Sequence, residues 1–328
     1  MKIVFVHYGT HLPSHLKKNI KVSREAFPFA EVVLITDISL SGPDMPGVSI
    51  FKSNFNISLF KSLETLDHPK DFRDSFWFKS IFRFYALREY MAVNPGEIFH
   101  IESDVRLSRD FPFQKFLEND LDIAYPLVDD KRGIASIFFT RNISSLDHFL
   151  SEINLYMSDN VSETDMTLLG RYYLSHPNRV LVLPIGPYEM MRFGEKMAPE
   201  SWQNNVFRNI EYFGGYFDGF YFGQYYFGTD SRNSYGFSHL KSNTQAIPIE
   251  TVKLEWFKAR NFPYVRGSDS LLPLYCIHFH NKSKRMIASS DIRLLYMVNF
   301  SVGNIRFNPV IFFTLALKKI LKILKRDI

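Results

Sequence analysis

Cysteine is almost missing from this sequence: Cys276 stands alone among 328 residues. One thiol excludes an intramolecular disulfide framework and a cysteine-rich zinc site, and a reducing compartment is the expectation that follows. Long apolar runs are missing as well. No uncharged stretch reaches the ~20 residues needed to cross a bilayer. The apolar opening Met1–Val6 stops at His7 and Tyr8, so it reads as a first strand and not as a signal-peptide core. Glycine and proline, at 16 each, are too sparse for a collagen-like or low-complexity chain, and no short-period repeat is visible.

An excess of one charge is also lacking over most of the chain. The net charge is +5, but residues 310–328 carry Lys318, Lys319, Lys322, Lys325 and Arg326 against Asp327 alone, which leaves the body nearly neutral. A nucleic-acid binder would spread its basic residues over a groove-facing surface, so this distribution argues against nucleic acid and for a local membrane contact. In helical projection those cations separate from Phe313, Ala316, Leu317, Ile320, Ile323 and Leu324. Residues 306–328 are therefore expected to form a basic amphipathic helix on an anionic membrane surface, beside a main domain of residues 1–305. Docking of that helix on the domain, with its lysines in water, is the alternative. What the chain has in quantity is apolar material. With 46% hydrophobic residues, 33 Phe and 17 Tyr, it can bury a thick core, and sugar-stacking surfaces are a second use for such rings.

The order of patterns predicts an α/β fold. An apolar strand over 3–8, a helix over 13–27 and a strand over Glu31–Asp37 form a βαβ opening suited to a parallel sheet, with Pro13 and Pro28 placed at the helix ends. Residues 38–56 read as loop, and Ser75–Val93 as a long, mostly buried helix stopped by Asn94-Pro95-Gly96. The segment Glu97–Leu107 starts as a buried strand and turns acidic. Beyond it the pattern gives a helix over 113–119, strands over 122–128 and 134–140, helices over 145–157 and 164–174, and a strand over 180–185. Residues 186–250, rich in aromatics and glycine, are expected to be irregular.

Three groups of residues can carry chemistry. Glu102-Ser103-Asp104 places two carboxylates two residues apart at a strand end; if strand geometry persists they share a face and can approach one hard divalent cation. An ordinary acidic turn is the plain alternative. His278-Phe279-His280-Asn281-Lys282 follows the apolar stretch Leu271–Ile277, and alternation puts His278, His280 and Lys282 on one face. Imidazole suits an oxygen-rich Mn²⁺ site, and an ammonium would neutralise a diphosphate. Lys79 and Arg83 share a helix face near Trp77, and phosphate is one candidate partner for two cations on an apolar helix. The other reading sends both to solvent on their long stems.

In this order, a βαβ opening, Trp77-x-Lys79-x-x-x-Arg83, an apolar strand into Glu102-x-Asp104, and a late His280-x-Lys282, the chain resembles GT-A glycosyltransferases. Phe217–Asn233 and the HFHNK segment also look like motifs of bacterial glycosyltransferases of surface-polysaccharide pathways, such as those for O-antigen, capsule or lipooligosaccharide. The resemblance implies a Rossmann-like, mostly parallel sheet flanked by helices. It implies a metal, Mn²⁺ or Mg²⁺, held by Glu102, Asp104 and His280, with His278 as the alternative histidine, Lys282 on the phosphates and Lys79, Arg83 and Ser103 beside the donor. The first acid is Glu where the family pattern has Asp. It further implies transfer from a nucleotide sugar, UDP-linked, to a glycan or lipid-linked acceptor at the cytoplasmic face of a bacterial membrane. An inverting enzyme adds a carboxylate base. Asp165, at a helix start, and Asp218, before Gly219, are the candidates; a dipole-favoured acid and a turn residue are their plain readings. A metal-dependent phosphoester hydrolase and a non-catalytic carbohydrate-binding protein are the competing functions.

Overall fold

The computed structural model describes residues 1–9, 11–38, 45–53, 76–129, 131–159, 163–187, 192–193, 196–197, 200–227, 252–257 and 262–280. The expected opening is present. β1 (Lys2–His7) and β2 (Glu31–Thr36) pair in parallel from Lys2↔Glu31 to His7↔Thr36, joined by α1 (Ser14–Ala26). β3 (Ser49–Lys52) then adds in parallel to β2, inside the stretch read as loop. Its four residues are flanked by turn-forming Gly and Pro, so local pattern favoured loop; pairing with the β2 edge makes the strand.

After α2 (Phe76–Val93), β4 (Ile98–Ile101) returns to the other side of β1, with Lys2↔Ile98 and Val4↔His100 in register. The chain continues through β5 (Val105–Leu107), α3 (Phe113–Glu118), β6 (Ile123–Pro126), β7 (Ile137–Thr140), α4 (Ile143–Asp159), α5 (Asp165–Ser175) and β8 (Val180–Leu183). The seven-stranded sheet has the order β3-β2-β1-β4-β7-β6-β8, and only β7 runs against the others. This is the mixed α/β architecture, mostly parallel and flanked by helices, expected from the sequence. Strand order reverses beside β1, where β2 and β3 lie to one side and β4 to the other. In such sheets the crevice at the carboxyl ends of the strands at this switch point is where ligands bind.

Sheet alternation divides the phenylalanines between two cores. Phe138 faces Phe84 and Phe149, each with ring centroids 5.0 or 5.6 Å away, while its neighbour Phe139 turns to the opposite face against Phe99 and Phe116. Phe116 in turn meets Phe213 and Phe217. These rings are interior structure and leave no free face to stack on a sugar.

Two expectations need correction here. Residues 186–250 were expected to be irregular, yet they contain a hairpin of β9 (Arg192–Phe193) and β10 (Lys196–Met197), then α6 (Glu200–Phe213) and α7 (Tyr221–Phe227). In α6 the buried Val206, Ile210 and Phe213 follow helical spacing, a stripe masked in the sequence by surrounding Tyr, Phe and Gly. The segment Glu97–Leu107 is not one strand. It breaks at Glu102–Asp104 in a turn closed by Val105 N–H donating to the Glu102 carbonyl at 3.0 Å. β5 then leaves the main sheet.

Further on, β11 (Lys253–Glu255), β12 (Tyr264–Arg266) and β13 (Leu271–Pro273) form an antiparallel sheet, and β14 (Cys276–His278) pairs antiparallel with β5. Among the described residues no helix is long and apolar enough to cross a membrane. The amphipathic segment 306–328, and with it the boundary at residue 305, lies outside the described residues.

Candidate active site

A cleft of about 310 Å³ opens at the carboxyl ends of β1 and β4. His7 and Tyr8 enter it from β1, Glu102 and Asp104 from the turn after β4, and Lys79 and Arg83 from α2. The start of α5 contributes Asp165, and the end of β14 contributes His278 and His280. Strand geometry does not persist through the acid pair, because Glu102 and Asp104 straddle a turn. They still meet, because β5 and β14 pair with Val105 opposite His278. His278 Nε2 stands 3.3 Å from Glu102 Oε2 and 3.4 Å from Asp104 Oδ1.

The histidine is fixed in orientation from both ends. Its Nδ1–H donates to the Gly219 carbonyl at 2.6 Å, and its backbone N–H donates to Asp218 Oδ2 at 3.0 Å. With Nδ1 committed to that carbonyl, Nε2 is the ring nitrogen aimed at the two carboxylates, the orientation of a metal-ligating imidazole with a carbonyl behind it. Burial opposes a charge on this ring, yet the Asp104 and Glu102 carboxylates raise its pKa to about 9. A cation bound to the three groups would displace that proton. One ligand atom from each of Glu102, Asp104 and His278 lies within 4.8 Å of the others, a donor set of oxygen and imidazole that fits Mn²⁺ or a similar divalent ion.

Arg83 has partners other than the phosphate proposed for it. Its Nε–H donates to the Ser80 carbonyl at 2.6 Å, and its two terminal nitrogens bond Glu102 and Asp165. Burial disfavours its charge, but the two carboxylates outweigh that and raise its pKa further. Glu102 behaves in the same way: burial favours its neutral form, and Arg83 and His278 pull its pKa below the usual value. At Asp165 burial wins over Arg83 and lifts the pKa above the usual carboxylate value. The carboxylates of Glu102, Asp104 and Asp165 thus gather round the Arg83 guanidinium and the His278 ring, with Lys79 in the same cleft. A divalent cation that displaced the imidazole proton would take over the charge compensation the ring now supplies.

The remaining expected residues fall at different distances from this centre. His280 lines the cleft but packs behind His278, ring centroids 4.2 Å apart, with its Nδ1 3.2 Å from the Gln224 amide. The ring that faces both acids is His278, the last residue of β14, paired with Val105. Asp218 is fully buried and does not line the cleft. Its carboxylate accepts from the backbone N–H groups of Phe222, Gly223 and His278 at 3.0, 2.7 and 3.0 Å, so it joins the start of α7 to β14. Burial raises its pKa to about 6. Gly223 belongs to this joint, since a Cβ there would lie 1.7 Å from the His278 carbonyl oxygen. Ser103 lies in the turn, its Oγ 3.3 Å from His15 Nε2 and its carbonyl accepting from the Asn19 side chain at 3.2 Å. Lys282 lies outside the described residues.

Sequence reasoning missed His7, Tyr8 and Asn19. Buried Asn19 donates to the carbonyls of both Ser103 and Val105, pinning the acidic turn to α1. No sequence signal marks a polar residue on an amphipathic helix for such a task. His7-Tyr8 carried a usable signal: polar residues ending the first strand of a βαβ unit fall at a switch point.

No family model and no curated protein matches the sequence. Among solved structures the chain is similar to galactosyltransferase LgtC in complex with donor and acceptor sugar analogs, at 14% identity and TM-score 0.43, over 63% of this chain and 82% of that one. It is also similar to mouse xyloside xylosyltransferase 1, at 9% identity and TM-score 0.39, over 64% of this chain and 92% of that one. Values of this size assign neither an activity nor a substrate to this chain.

Proposed function

We propose that this chain is a metal-dependent glycosyltransferase of GT-A type that takes its sugar from a nucleotide donor. One observation carries the reading: Glu102, Asp104 and His278 converge, with Lys79 at hand, in the crevice at the carboxyl ends of parallel strands. The donor set suits a divalent ion, and a diphosphate is the ligand that needs both such an ion and a nearby ammonium. The ion, Mn²⁺ or Mg²⁺, would neutralise charge developing on the departing diphosphate.

The protein's own groups account for the rest of the chemistry. Arg83 orients Glu102 and Asp165 by bonding one oxygen of each. Lys79, one turn before Arg83, supplies positive charge at the cleft wall for the phosphates. Asp165 is the remaining carboxylate in the cleft, and burial makes it a stronger proton acceptor than an exposed acid, as accepting the acceptor hydroxyl's proton requires. Asp218 acts by positioning His278. A UDP-linked donor, a glycan or lipid-linked acceptor of bacterial surface polysaccharide, and action at the inner face of the membrane are the finer parts of the proposal. They rest on the sequence resemblance and on the basic tail.

The test is a panel of nucleotide sugars screened by thermal unfolding with and without Mn²⁺, followed by transfer assays with the stabilising donor. A ligand that binds the native state alone raises the unfolding temperature by mass action. Stabilisation by one nucleotide sugar only when metal is present supports the reading. Release of phosphate from generic esters without donor binding would replace it with phosphoester hydrolysis.

A further inference from the structure

A second group of metal-ligating side chains lies on the outer helices, built from none of the residues of the cleft. His148 and Glu152 are four residues apart and share one face of α4. His176, which caps the C-terminus of α5, reaches the same point. His176 Nε2 stands 3.1 Å from Glu152 Oε2, and the two imidazoles meet edge to face with centroids 4.9 Å apart. One ligand atom from each of the three side chains lies within 4.8 Å of the others, and all three residues are half-buried.

The surroundings orient these groups as ligands. The Tyr172 hydroxyl, on a fully buried residue, lies 3.1 Å from His148 Nδ1 and holds that ring in place. The Tyr156 hydroxyl donates to Glu152 Oε2 at 3.1 Å. Such outer hydrogen bonds are what hold imidazole and carboxylate ligands in place around a metal. The nearby guanidinium of Arg179 is held by Asp122 at 2.5 Å.

We propose that His148, Glu152 and His176 form a binding site for a divalent transition-metal ion of the zinc class, with water in the fourth position. Two imidazoles and one carboxylate are a donor set that Zn²⁺ takes, at bond lengths of roughly 2.0–2.2 Å, which place neighbouring ligand atoms about 3.4 Å apart. Binding would draw the three ligand atoms together from their present spacing of up to 4.8 Å. The bound ion staples the middle of α4 to the end of α5, the helix whose first residue, Asp165, stands in the cleft.

The experiment uses the full-length protein, stripped with a chelator and carrying Asp104→Asn and His278→Ala so that the cleft does not compete. Titration with Zn²⁺ by calorimetry is expected to show one equivalent per chain, and Co²⁺ is expected to give visible absorption of a low-symmetry site. His176→Gln and, separately, Glu152→Gln are expected to remove that equivalent and the Co²⁺ spectrum while leaving the metal-free unfolding temperature unchanged. In otherwise wild-type protein, His176→Gln should remove one Zn²⁺ equivalent and spare Mn²⁺-dependent donor binding, which separates this site from the cleft. Absence of binding before substitution, or undiminished binding in any folded variant of the three side chains, would overturn the proposal.

Discussion

At the scale of single residues the site separates three roles that the sequence left merged. Asp104 and His278 face each other at 3.4 Å and are the proposed ligands, so Asp104→Asn and His278→Ala should each abolish Mn²⁺-dependent donor binding, read by calorimetry, with the circular dichroism spectrum unchanged. His280→Ala, removing the ring behind, should weaken binding far less. Asp165→Asn should keep donor affinity and lose most transfer, a fall in kcat without a rise in KM. Asp218→Asn should behave differently. Its amide would set an N–H₂ against one of three backbone donors, costing about 1–3 kcal/mol of stability and roughly 10–100-fold in metal affinity through the displaced His278. The acid pair and the late histidines were legible because polar residues interrupt apolar strands. That His278 and not His280 faces the acid pair was not, since it depends on a strand pairing between residues 105–107 and 276–278; nor was the capture of Arg83 by Glu102 and Asp165, since it depends on three elements distant in sequence meeting in the fold.

At the scale of elements, the fold was most legible where one period persisted over many residues. β1, α1, β2 and α2 come within a residue or two of their expected bounds. β3 and α7 did not stand out, because four and seven residues are too few for a period to rise above their neighbours. The short α7 depends on its contact with β14, and the Gly223→Ala variant tests that contact. Its new methyl would collide with the His278 carbonyl oxygen at 1.7 Å, so β14 must move and donor binding should fall together with thermal stability. The main sheet is tested separately at Phe138, fully buried between α2 and α4; Phe138→Ala should cost about 3–5 kcal/mol in denaturant unfolding.

At the scale of the whole molecule, a nearly neutral body and a basic tail make a division of labour that can be checked by truncation. Deleting residues 310–328 should release the protein from anionic vesicles, with each basic residue near the surface worth roughly 1 kcal/mol at low salt. Donor binding should survive, because every described residue that lines the cleft comes before 281. Loss of folding on truncation, with no vesicle binding by the intact chain, would make the tail a packed part of the domain. The central claim is that one divalent ion, held by Glu102, Asp104 and His278, joins a nucleotide sugar to the carboxyl ends of β1 and β4. Donor-induced thermal stabilisation, measured with and without Mn²⁺ in wild type and in His278→Ala, tests it most directly. A shift in wild type that needs Mn²⁺ and disappears in His278→Ala is the expected result; an equal shift without metal, or in the variant, would contradict it.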